Sequence, residues 1–164
     1  MTENGPILSV VVALLGVALV ASARAEADGG LPPQHASVGI AAPTSGELAV
    51  VRAINTIRTT NGVPPLRVGR ALTRAARAHS VDMARRDYFD HGPFIQRMRR
   101  FGVGAPYVGE NLASGTRPLS AVEIVRMWIE SPPHRRNLFD RGFRRIGVGV
   151  AGGSTRLVTA DFAG

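Results

Sequence analysis

The chain has 164 residues and carries 20 basic against 12 acidic side chains, for a formal charge of +8; every basic residue is an arginine and there is no cysteine. The missing cysteines exclude a disulfide framework, a cysteine-ligated zinc or iron–sulfur site and a thiol nucleophile. Apolar types at 45% can fill a core, and the length suits one domain. The positive charge does not point to nucleic acid. The arginines are scattered from Arg52 to Arg156 in runs no longer than pairs, and aromatics at 5% are too few for a stacking platform.

Ile7 to Ala21 is an uncharged apolar run. As a helix it would reach ~22 Å, at about 1.5 Å per residue, short of a bilayer core of about 30 Å. Ala23-Arg24-Ala25 follows as an A-x-A cleavage site before Glu26. We read residues 1–25 as a secretory signal peptide, although Glu3 stands where a basic residue is usual. An uncleaved envelope anchor is the alternative, and no stable membrane span is expected after cleavage. Residues 26–43 carry Gly29-Gly30, Pro32-Pro33 and no periodicity, and read as a flexible linker that includes His35.

Thr44 and Glu47 form a capping box that opens a helix. Leu48, Val51, Ile54 and Ile57 give it an apolar stripe, and Asn61-Gly62 stops it. Val63 to Leu66 is an extended link. A second helix is expected over about 69–86, with Leu72, Ala76, His79 and Met83 on one face. A short helix around Phe94 to Phe101 follows the break at 88–93. Ser120 and Glu123 form another capping box, before a helix with Val122, Val125 and Trp128 inward that Pro132-Pro133 ends. A single turn over Arg135 to Phe139 comes next. Ile146, Val148 and Val150 alternate along a strand, Gly152-Gly153-Ser154 turns, and Leu157 to Phe162 returns. Helices followed by an antiparallel hairpin predict an α+β fold. Gly147 to Gly152 matches G-x-G-x-x-G, but it lies in a hairpin strand rather than opening a helix, so it is no dinucleotide site.

The candidates for chemistry are few. His79, on an apolar helix face, reads first as a core histidine bonded to backbone and second as a cleft residue. His91 stands at a helix exit, Glu110 at the entry to an extended segment, and His134 in the first turn of a helix, where the positive helix end favours neutral imidazole. Two histidines and a carboxylate are a ligand set for zinc with an open position. Separations of 19 and 24 residues leave that geometry to the fold, and surface histidines with a capping glutamate are the plainer reading. Ser114, Ser120 and Ser131 lack a G-x-S-x-G elbow.

Several segments together resemble a known family: Asn55-x-x-Arg58, Asn61-Gly62-Val63-Pro64-Pro65-Leu66, His79-Ser80-x-Asp82-Met83-Ala84, Tyr88-Phe89-x-His91, Gly109-Glu110-Asn111-Leu112-Ala113, Trp128-x-x-Ser131-Pro132-x-His134-Arg135-x-Asn137-Leu138 and Ile146-Gly147-Val148-Gly149. In this order they resemble the CAP superfamily (cysteine-rich secretory, antigen 5 and pathogenesis-related proteins, also called SCP-like extracellular proteins), most closely its short, single-domain bacterial branch, over residues 44–163. The resemblance implies a three-layer α-β-α sandwich with a small antiparallel sheet, and secretion. It also implies a cleft of two histidines and two acids that holds a divalent metal, zinc above all, with His91, Glu110 and His134 as ligands. The fourth acid departs from the pattern. Ser131 stands three residues after Trp128, and Glu130 is only two on, about 100° round a helix.

The expected function is that of a secreted CAP domain whose His/Glu cleft binds a divalent metal and a lipid, sterol or anionic cell-envelope polymer. One alternative is a secreted protein-interaction module with a vestigial cleft. The other is a metal-dependent, peptidase-like hydrolase, in which the metal would lower the pKa of a bound water.

Overall fold

The computed structural model describes residues 42–116 and 119–164. The apolar run, the A-x-A site, His35 and the linker up to residue 41 lie outside the described residues. The elements in chain order are α1 (Ser45–Thr60), β1 (Arg67–Val68), α2 (Arg70–Arg86), α3 (Phe94–Arg100), β2 (Val108–Gly115), α4 (Ala121–Glu130), α5 (Pro132–Phe139), β3 (Arg145–Ala151) and β4 (Arg156–Ala163). Both capping boxes form: Thr44 and Glu47 start α1, and Ser120 and Glu123 start α4.

The strands lie in the order β1-β3-β4-β2, with β2 at an edge. The β3–β4 hairpin and the β2–β4 pair are antiparallel, as the alternation requires. A two-residue β1, which no sequence pattern announces, adds itself parallel to β3 and makes the sheet mixed. It follows two prolines, which hold the chain extended.

Alternation sends successive side chains to opposite faces. Ile146, Val148, Val158, Ala160 and Phe162 pack with Val51, Ile54, Ile124 and Trp128 of α1 and α4. On the other face α2 lies directly on the sheet. A Cβ on Gly147 would come within 2.1 Å of the backbone of Leu72 and Thr73, and one on Gly149 within 2.3 Å of the backbone of Ala76 and Arg77. The glycine repeat is thus a helix seat and not a nucleotide loop. Helices on both faces of one sheet make the three-layer α-β-α sandwich expected.

Details of the helix faces differ from expectation. Leu48 and Ile57 are half-buried, while Arg58 is wholly buried. Arg58 donates from Nε to the carbonyl of Pro64 (2.9 Å) and from Nη1 to those of Leu138 (2.7 Å) and Asp140 (3.1 Å), tying α1 to the end of α5. Val122 is exposed, because at about 100° per residue it lies off the face that Ile124, Val125 and Trp128 turn inward. The turn expected at 135–139 is a two-turn helix that begins at Pro132, since proline at the first helical positions has no N–H to leave unpaired.

This packing makes two outcomes measurable. Gly149→Ala should destabilise the fold by about 1–3 kcal/mol or more through overpacking against backbone, whereas Gly153→Ala, with open space around it, should change little; urea unfolding of both variants measures the contrast. The second concerns Glu47, which is buried and held by Arg77 through Nε–Oε1 (2.7 Å) and Nη2–Oε2 (2.6 Å). Burial pushes its carboxyl up, but the bonds from Arg77 and Thr44 outweigh that and hold it below its ordinary value. A lowered folded-state pKa means that the stabilisation is present above the unfolded pKa and is lost as the pH falls through the folded one. Glu47→Gln should therefore cost about 1–3 kcal/mol near neutral pH and progressively less below about pH 4, in urea unfolding across that range.

Candidate functional site

The site grows from the edge strand. Gly109 precedes Glu110 because nothing larger fits: a Cβ there would meet the Phe143 ring at 2.7 Å and Asn137 Oδ1 at 3.2 Å. Glu110 and Asn111 then point to opposite faces of β2. Glu110 pairs in register with Asp161 of β4, which pairs in turn with Gly147 of β3. The row Glu110–Asp161–Gly147 therefore runs along the face that carries α2.

The Glu110 side chain is 2% exposed. Its Oε1 accepts a hydrogen bond from Nδ1 of His91 at 2.7 Å, and its Oε2 accepts one from Nη2 of Arg97. Arg97 is buried on α3 and also donates from Nη1 to the backbone oxygen of His91 at 3.1 Å. It thereby grips both the acid and the loop that brings the imidazole. The bond to Glu110 raises the His91 pKa, and burial only partly opposes this. The His91 side chain remains 54% exposed, so the buried cluster reaches solvent there.

Asp161 is fully buried. Among the described residues no hydrogen-bond partner reaches either of its side-chain oxygens, and its neighbour across the ladder is another carboxyl group. Burial raises its pKa well above the carboxylate range, and the charge of Glu110 raises it further. The arrangement closes if Asp161 keeps its proton and offers it to Glu110.

The other expected residues take distinct places. His79 is buried on α2; its Nε2–H donates to the carbonyl of Asp90 at 2.9 Å, and burial lowers its pKa. It is the backbone-bonded core histidine of the plainer reading, and it props the loop that carries His91. His134 is half-buried on α5 and close enough to His91 to feel its charge; burial first, and that charge second, lower its pKa. Its backbone is fixed from the opposite face of β2: Asn111 Nδ2 donates to the His134 carbonyl at 3.0 Å, and Asn137 Nδ2 donates to Asn111 Oδ1 at 2.8 Å. Ser131 is the junction of α4 and α5 and makes no side-chain cap bond. Glu130 is exposed and lines a separate groove with Arg135, Arg136, Arg141, Ile129 and Phe139.

The fold thus brings His91 against Glu110 and sets His134 near them. Among the described residues, however, no three His, Asp or Glu side chains gather so as to hold a metal ion. Both oxygens of the would-be carboxylate ligand are engaged, one of them by a guanidinium. Sequence reasoning missed Arg97 and Asp161. The signal for Asp161 was its parity with Thr159 on a strand otherwise apolar. Arg97, six residues after His91 on a short helix rich in arginine, gave none.

The protonated state of Asp161 is testable. Because its folded pKa is raised, its contribution falls as the pH climbs from the unfolded value towards the folded one. Asp161→Asn keeps the shape and stays neutral, so the variant should be at least as stable as the parent near neutral pH in urea unfolding. A large loss would mean that Asp161 is ionised.

Comparison with known proteins places this geometry. The family model described as CAP, cysteine-rich secretory protein family, matches residues 51–162. The chain is 37% identical over 124 residues to the uncharacterized protein YkwD of Bacillus subtilis (strain 168), covering 72% of this chain and 47% of YkwD. It therefore spans about half the length of that relative. An extracellular protein containing an SCP domain from Bacillus anthracis superposes with a TM-score of 0.66 at 29% identity, over 72% of this chain and 40% of that one. An outer surface protein from Borrelia burgdorferi superposes at 0.64 and 19% identity, over 70% and 88%; at that identity the likeness is one of fold.

Proposed function

The chain belongs to the CAP family of cysteine-rich secretory proteins, and we propose that it is an exported module that binds an anionic or lipidic component of the cell envelope at the cleft over His91 and Glu110. One observation carries the reading. A buried ion pair, Arg97–Glu110, with the carboxyl group of Asp161 beside it, opens to solvent through the half-exposed imidazole of His91. The hydrophobic core does not require such a cluster, and burying one is costly unless it is fully paired. Groups of this kind, held rigidly at a surface, are suited to recognition.

Export is supported by the leader read at residues 1–25 and by structural neighbours that are extracellular or outer-surface proteins. Among the described residues no helix is long and apolar enough to cross a membrane. The preference for an anionic ligand rests on the charge of +8; the groove beside Glu130, with its three arginines, is a separate feature of that basic surface. Such a surface attracts polyanions and anionic headgroups, and salt screens the attraction. A hydrolytic role finds less support, because both oxygens of Glu110 already accept hydrogen bonds, one of them from a guanidinium that disfavours proton uptake.

Co-sedimentation with bacterial cell-wall sacculi and with anionic phospholipid vesicles tests the reading. The protein should pellet with one of them at physiological salt and less at high salt. His91→Ala, at a half-exposed position, should fold and bind about tenfold more weakly, as for the loss of one good contact. Failure to pellet with either, or undiminished binding by the variant, overturns it.

A further inference from the structure

We infer that Arg97 is the resident cation of this cleft: its guanidinium occupies the position against Glu110 that a divalent metal would need, so the cleft is built to work without one. The inference is independent of which envelope component binds, because its readouts are metal uptake and unfolding.

The geometry sets an imidazole against one oxygen of Glu110 and a guanidinium against the other. Arg97 is buried and is held by three features. Nη2 donates to Glu110 Oε2, Nη1 donates to the carbonyl of His91, and the guanidinium lies 5.5 Å from the centre of the Phe94 ring. The α3 helix that carries Arg97 is anchored by the buried Met98, packed with Leu72 and Ala75 of α2. The backbone that carries the cation is therefore fixed on the core, and its bonds to Glu110 and to the His91 carbonyl hold the side chain. The second oxygen of Glu110 accepts from His91 Nδ1, so each oxygen already has a donor set against it.

Charge counting agrees. Glu110 faces the guanidinium of Arg97, which supplies a positive charge directly against it. A divalent ion would enter a site already balanced, next to a fixed guanidinium that repels it. Its remaining donors would be the imidazoles of His91 and His134, and the first of these is bonded to the acid that would have to be its fellow ligand. An arginine is also the better permanent partner, because it is always charged and offers several donors in a plane. Arg97 is in this sense a positioning residue: it neutralises Glu110 and fixes the loop that presents His91.

Zinc titrated into the purified full chain by calorimetry, with thermal unfolding in parallel, decides the matter. The parent should show no stoichiometric zinc uptake, and its unfolding midpoint should be the same with zinc or with EDTA. Arg97→Met, which keeps bulk and removes charge, should lower the midpoint, and zinc should then raise it again through the freed carboxylate. Adding Glu110→Gln to that variant should abolish the rescue. Arg97→Lys keeps the charge and covers the case in which Arg97→Met does not fold: it should fold and stay indifferent to zinc. One zinc bound per parent chain, with affinity lost in His91→Ala, overturns the inference. So does an Arg97→Met variant with the parent's midpoint, or an Arg97→Lys variant that takes up zinc.

Discussion

A carboxylate taken out of water must be neutralised where it stands, and the ion pair of Glu110 with Arg97 sets the terms for everything around it. The cost of burying either charge alone is several kcal/mol, so α3 has to deliver Arg97 to β2, and the loop before α3 has to follow. That loop carries His91. Burial first, and the charge of Glu110 second, raise the pKa of the neighbouring Asp161, against the opposing pull of Arg97. One electrostatic constraint therefore links a helix, a loop and two strands.

The pair can sit there because of how the sheet meets α2. Gly147 and Gly149 let the backbone of α2 approach the strand closely. The row that begins at Gly147 continues through Asp161 to Glu110, so the helix seat and the acid pair are successive positions of one ladder. On the other face Asn111, one residue along β2, holds the carbonyl of His134. Adjacent residues of an edge strand thus govern opposite layers. This is how two histidines from different sides of the sandwich come to one end of it.

Much of this was legible in the sequence wherever the signal was local. Both capping boxes, the face of α2 and the alternation of the final hairpin depend on spacing within one element, and each formed as read. His91, Glu110 and His134 were legible through a resemblance in motif order, which carries long-range information that spacing does not. The rest was set by tertiary contacts. Two residues of β1 are too few to show a period, and only the presence of β3 makes them a strand. Arg97 looks like any other arginine of a basic helix until the fold places Glu110 against it. Val122 fits an apolar stripe by spacing, but the core meets the face of Ile124, Val125 and Trp128, which leaves Val122 in solvent. Arg58 breaks the stripe of α1 in sequence and is nevertheless fully buried, because carbonyls from distant segments meet it.

The three described histidines show how environment, rather than residue type, divides the work. His79 is buried against a carbonyl and is pushed towards the neutral form, which suits a structural prop that must donate one hydrogen bond and nothing more. His134 is pushed the same way by burial and by the nearby imidazole, so it can offer a lone pair at the cleft. His91 is drawn the other way by Glu110 and faces solvent. His134, shifted towards the neutral form, and His91, shifted towards the protonated one, both beside the Glu110–Arg97 pair, would suit the proposed polar or anionic ligand through directed hydrogen bonds. On the inference drawn for Arg97, the protein's own guanidinium takes the ordering role that a metal would otherwise have.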